Sequence, residues 1–134
     1  MAAAAPKIAM PDGPVADPSV WLAEDLERDD RWIHRLSDGE IAELDRAVDA
    51  VLSRGLTAQR FERGDFPLTS LADTIAGWAD QIDNGRGFVL VRGLDPQRYD
   101  EDALLALYWG IGVHLGLPVP QNVKLFRIAP AILL

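Results

Sequence analysis

Only two imidazoles occur in this 134-residue sequence, His34 and His114, and they stand 80 positions apart. A two-His-one-carboxylate metal centre needs both rings and an acid converging on one face. Neither histidine has Asp or Glu two positions later, so the pair alone does not spell such a centre. His34 sits among Asp30, Arg31 and Arg35, which reads as a charged helical surface. His114 ends an apolar segment and reads as a buried ring satisfied by one hydrogen bond. The sequence has no Cys, which removes thiolate nucleophiles, Cys-ligated metals and disulfides. Ser19, Ser37, Ser53 and Ser70 have no neighbouring base and no Gly-x-Ser-x-Gly elbow, so they read as caps and loop residues. The acids Glu24, Asp25, Glu27, Asp29 and Asp30 are interleaved with Arg28 and Arg31 and read as a solvated face rather than a cation site. Gly85-Arg86-Gly87 precedes an apolar run, whereas a phosphate cradle follows a strand and opens a helix.

The elements that would position these groups are clearer. Residues 1–18 contain four prolines and no hydrophobic period, and read as a flexible leader. Ser19 is a candidate cap for a short helix, with Trp21 and Trp32 as expected core anchors. Ser37-Asp38-Gly39-Glu40 is a capping box. Ile41, Leu44, Val48, Val51 and Leu52 follow along one helical face, and Gly55 stands at the left-handed C-terminal position. The spacing predicts a helix over 38–54 whose charges, Glu43, Asp45, Arg46 and Asp49, lie on the outer face. After a polar loop holding Phe61 and Phe66, the stripe Leu71, Ile75, Trp78, Ile82 predicts a helix starting at Thr69 or Ser70 and ended by Asn84-Gly85. Gly87 to Gly93 (GFVLVRG) predicts a strand buried on both faces. Beyond the turn at Leu94-Asp95-Pro96, the acids Asp100, Glu101 and Asp102 open an apolar helix that stops at Gly116.

Thirteen basic against 21 acidic side chains give a formal charge of −8. A field of that sign repels phosphate backbones and anionic lipid, so neither nucleic acid nor a membrane surface is an expected partner. The N-terminus has Lys7 as its single basic residue, and prolines interrupt its apolar run, unlike a signal peptide. The expectation is a cytoplasmic protein.

The order of the pieces carries more than any one of them. A lead-in ending Trp32-Ile33-His34-Arg35-Leu36-Ser37 is followed by the capping-box helix and by Phe66-Pro67-Leu68. Then come the Gly85-Arg86-Gly87 turn, the strand FVLVRG, a helix with YWGIGVHLG, and the exit Pro118-Val119-Pro120-Gln121-Asn122. Over Ser19 to Asn122 this succession resembles the N-terminal region of TauD/TfdA-like iron(II)/2-oxoglutarate-dependent dioxygenases. The resemblance implies an α/β (α+β) fold, with N-terminal helices and one or two strands of an incomplete double-stranded β-helix (jelly roll), a strand like Phe88–Arg92 lying in its main sheet. It also implies iron held by a His-x-Asp/Glu pair and a distant His, and an Arg for the 2-oxoglutarate carboxylate, all beyond Asn122. No His-x-Asp or His-x-Glu occurs in the sequence. Iron(II) and 2-oxoglutarate are thus expected of the intact family and neither is expected on this chain.

By the same resemblance, Gln121 and Asn122 are the substrate-facing candidates, beside the plainer reading of a polar turn. Where the family continues with a polar, Gly-containing stretch, residues 123–134 are a divergent apolar tail (VKLFRIAPAILL), as a shifted frame or truncated gene would give. The expected function is that of an inactive N-terminal piece of such a dioxygenase. The alternative is a small non-enzymatic α/β module acting by protein–protein association, as a homo-oligomer or with another protein through exposed apolar surface. The substrate is not legible.

Overall fold

The computed structural model describes residues 12–116, together with the backbone at 119–120 and 127–128. The elements run α1 (Ala23–Arg28), β1 (Ile33–Arg35), α2 (Asp38–Ser53), a 3-10 turn (Arg63–Asp65), α3 (Ser70–Asn84), β2 (Leu90–Arg92), a second 3-10 turn (Pro96–Arg98), α4 (Glu101–Leu115), β3 (Val119–Pro120) and β4 (Arg127–Ile128). This is the expected mixture of helix and strand. The strands form two separate pairs, β1–β2 parallel and β3–β4 antiparallel. No described helix is long and apolar enough to cross a membrane.

The helix ends follow from local chemistry. Ser37 Oγ accepts the Glu40 N–H at 3.2 Å, and Glu40 Oε1 accepts the Ser37 N–H at 2.9 Å. At the far end of α2 the Leu56 N–H reaches Val51 O and the Gly55 N–H reaches Leu52 O. Gly55 takes φ +72°, where a side chain would be strained. The Asp100 carboxylate accepts the Ala103 N–H at 2.8 Å and starts α4. We expect Ser37→Ala to cost about 1 kcal/mol. Urea denaturation should show a lower midpoint at unchanged slope.

One core joins the three long helices. Leu44, Val48 and Val51 from α2 meet Leu71, Ile75 and Trp78 from α3 and Leu107 and Ile111 from α4. Phe61 and Phe66 of the intervening loop are also buried in this core. Their rings stack with centroids 5.9 Å apart. The loop is therefore polar in composition but fastened by its two aromatics.

Four expectations for residues 19–36 and 87–93 need correction. Ser19 does not cap a helix: its N–H and hydroxyl both bond the Asp17 carboxylate, and α1 begins at Ala23 instead. There Asp25 reaches back to the Leu22 N–H at 2.8 Å. Trp21 is 41% exposed rather than a core anchor. It sets its ring against the edge of Phe88 at 5.1 Å and donates its indole N–H to Arg86 O. His34 lies on β1, not on a helix, because its backbone pairs with Val91 across the parallel ladder. Finally, the apolar run from Gly87 pairs only over Leu90–Arg92 and buries one face. Val91 is 1% exposed, while Leu90 is half-buried and Arg92 exposed.

Candidate functional site

Gln121 and Asn122 lie outside the described residues. The two histidines do not converge, and each is already engaged. His34 Nε2 lies 3.1 and 3.3 Å from the two oxygens of Glu40, and its ring meets Trp78 at 5.1 Å. Glu40 thereby closes the capping box and ties β1 to the start of α2. Partial burial disfavours its charge, but the Ser37 N–H and His34 outweigh this and hold its carboxyl below the usual range.

His114 is buried near the end of α4, as expected. Its Nε2 lies 2.7 Å from Phe66 O, so this nitrogen carries the proton and donates. Nδ1 is buried with no partner among the described residues. Burial lowers the pKa of this imidazole, against the bond to Phe66 and with a contribution from Arg63 nearby. The unfolded chain keeps the ordinary value near 6.5, so it takes up the proton first. Stability is therefore full above about pH 6.5 and falls as pH drops below it. His114→Gln should flatten that limb in denaturation midpoints measured between about pH 7 and pH 5.

Acidic groups are likewise committed. Asp29 is held well below the usual carboxylate range by Arg31, and it also pairs with Arg86 at 2.9 Å. Asp45 of α2 accepts from Tyr99 Oη at 2.6 Å and from Arg98 Nη2 at 2.9 Å. These residues, with Val48, Asp49, Asp100 and Ala103, line an open groove of about 300 Å³ between α2 and the start of α4. Burial and the neighbouring Asp45 push the Tyr99 phenol up to about 12, so it stays a donor and is no base near neutral pH.

Glu43 was expected on the outer face of α2, and this is wrong. It is 5% exposed. Its oxygens accept the Thr69 N–H, the Thr69 hydroxyl at 3.0 Å, the Ser70 hydroxyl at 2.8 Å and the Leu71 N–H at 3.2 Å. A side chain of α2 thus caps α3, whose own Thr69 makes no capping bond. Burial opposes the charge, but the Ser70, Thr69 and Leu71 donors prevail and keep the carboxyl ionised below its ordinary range. The signal available in the sequence was the small apolar Ala47 four residues on, on the same side of the helix, which the structure buries fully. It shows that this side of α2 turns inward, but not what Glu43 meets there.

Among the described residues, no three His, Cys, Asp or Glu side chains gather as metal ligands. The donor set present does not fit an iron centre: one imidazole serves a carboxylate that caps a helix and the other serves a backbone carbonyl.

No family model matches the sequence. It is similar to FR-33289 synthase of Streptomyces rubellomurinus, 28% identical over 109 residues that cover 81% of this chain and 32% of that protein. It is also similar to a taurine hydroxylase-like protein of Stachybotrys chartarum, 25% identical over 104 residues, 78% of this chain and 27% of that one. The chain spans less than a third of the length of these curated relatives. The similarity suggests a TauD-like dioxygenase family, in agreement with the order of motifs.

Proposed function

We propose that this chain is the N-terminal helical portion of a TauD/TfdA-like iron(II)/2-oxoglutarate-dependent dioxygenase, a cytoplasmic protein whose intact form hydroxylates a small molecule. On its own it carries out no oxidation. The observation behind this reading is the similarity that covers 81% of the chain and 32% of FR-33289 synthase. The helix–strand order supports it, as does the engagement of both histidines in contacts that hold the fold. Iron and 2-oxoglutarate would be held by residues beyond Asn122. Gln121 and Asn122 would approach the substrate pocket, with residues 1–18 as a leader and 123–134 as a divergent tail.

The decisive test is the encoding DNA. Read past the codon for Asn122 in all three frames, it should contain a His-x-Asp or His-x-Glu pair, a later His and an Arg. Their absence from every frame would sink the reading. The purified chain should show no saturable binding of iron(II) with 2-oxoglutarate by calorimetry, and micromolar binding would contradict the proposal equally.

The exposure of Trp21, Leu22, Leu105 and Tyr108 favours a second reading, association through apolar surface. On that reading the chain is a non-enzymatic module that binds a partner protein through this surface or self-associates through the Val123–Leu134 segment. Deleting residues 123–134 would then abolish self-association in sedimentation while leaving the helices folded. A monomer with a sharp two-state melt would count against both association and truncation.

A further inference from the structure

The parallel register places Arg35 directly beside Arg92. Paired residues on neighbouring strands project from the same face, about 4.8 Å apart at the backbone. His34 and Val91, one position earlier on each strand, take the other face, where His34 meets Trp78 of α3 and Val91 is buried. The two guanidinium groups therefore share the face opposite His34 and Val91, together with the half-buried pair Ile33 and Leu90. Both arginines are exposed.

All 21 acidic side chains fall between Asp12 and Asp102, within the described residues. The ion pairs among those residues engage Arg28, Arg31, His34, Arg54, Arg86 and Arg98, but neither Arg35 nor Arg92. Arg46, Arg60 and Arg63 likewise make no ion pair among the described residues, so what sets Arg35 and Arg92 apart is that they stand opposite each other on the ladder. Like charges directly opposite on a ladder are destabilising. Among the described residues Arg35 and Arg92 nonetheless face each other with no carboxylate in ion-pair distance. Adjacent planar guanidinium groups match the oxygens of a single oxyanion, which removes the repulsion between them. The net negative charge disfavours an extended polyanion, so the group that fits is a single local one.

We propose that Arg35 and Arg92 form an oxyanion site on their shared face of the β1–β2 pair, taking one carboxylate, phosphate or sulfonate group beside the apolar shoulder of Ile33 and Leu90. The proposal uses only the ladder and the charge inventory, and it does not rest on the dioxygenase reading. The same chemistry arises from a small free anion or from an acidic side chain of a covering polypeptide segment.

The test is a titration of the full chain at constant ionic strength, followed by the Nε–H resonances of its arginines. One arm uses inorganic phosphate and the other a short blocked peptide with a single Glu between valines. The Arg35 and Arg92 signals should shift together and saturably in at least one arm, and the tighter arm identifies the source. Arg35→Gln or Arg92→Gln should weaken binding about tenfold, the loss of roughly 1.4 kcal/mol from one charge-assisted contact. Arg35→Lys, which keeps the charge but not the fork, should fall between. Both sites are exposed, and unchanged helical circular dichroism of each variant separates lost binding from lost folding. Linear shifts of the same size at Arg60, or undiminished binding by the Arg35→Gln/Arg92→Gln double variant, would overturn the proposal.

Discussion

Glu43→Ala is expected to destabilise the fold by about 2 kcal/mol, since it removes the acceptor of the buried Leu71 N–H and of the Thr69 and Ser70 donors that begin α3. The Thr69 and Leu71 N–H groups sit at the start of α3, where the helix has no acceptor of its own. The change also removes buried side-chain volume between α2 and the start of α3. Glu43→Gln keeps an acceptor oxygen and the packing volume, so it should cost less than half as much. Equilibrium denaturation by urea, read by tryptophan fluorescence, distinguishes the two. The carboxyl is held below its ordinary range, so its stabilisation is complete above about pH 4.5 and is lost as pH falls through the folded value. Glu43→Gln should therefore shrink the acid-induced loss of stability. A near-zero cost for Gln beside a large cost for Ala, with no change in the acid limb, would mean that Glu43 contributes only packing.

Gly110→Ala is the second large effect. A Cβ at this position would overlap three atoms of the Phe66 ring. The ring has little freedom to move: it is fully buried, stacked on Phe61, and its own carbonyl is held by His114. Alanine is the better helix former by about 1 kcal/mol, which works in favour of the variant. Overpacking against a fixed aromatic costs about 1–3 kcal/mol in gross terms, and more when neighbours cannot shift. A net loss of about 2 kcal/mol is expected from these two terms. The diagnostic measurement is a double-mutant cycle with Phe66→Leu, where the smaller side chain should recover most of the Gly110→Ala loss. Strict additivity would place the strain elsewhere.

What was legible in the sequence was local. The Ser37–Glu40 box, the glycine at 55, the Leu71–Ile82 stripe and the acidic start of α4 each draw on residues within a few positions. The features that were misread depend on distant partners. Glu43 looks like a surface acid until α3 packs beside it, 26 positions away at Thr69. His34 joins a strand only because Val91 pairs with it. Trp21 stays partly exposed because its indole is satisfied by Arg86 O and its ring by Phe88, at the rim of the core. No periodicity in residues 19–36 encodes any of these contacts. The candidate site was less legible than the fold, since Gln121 and Asn122 rest on a resemblance alone. The paired arginines became visible only with the register of the ladder.

That ladder also bears on the order of folding. Ile33 and Leu90 are 57 positions apart, and the pairing spans three residues on each strand. Closing a loop of that length in an open chain costs conformational entropy for a small immediate return. Once α2 and α3 have formed and packed, most of the intervening chain is already short and stiff, and the remaining closure is much less costly. The strands should therefore zip after the helices have docked. By the same token they are the first part to release in native fluctuations, with backbone amides of Ile33 to Leu36 exchanging with solvent well before those of α2.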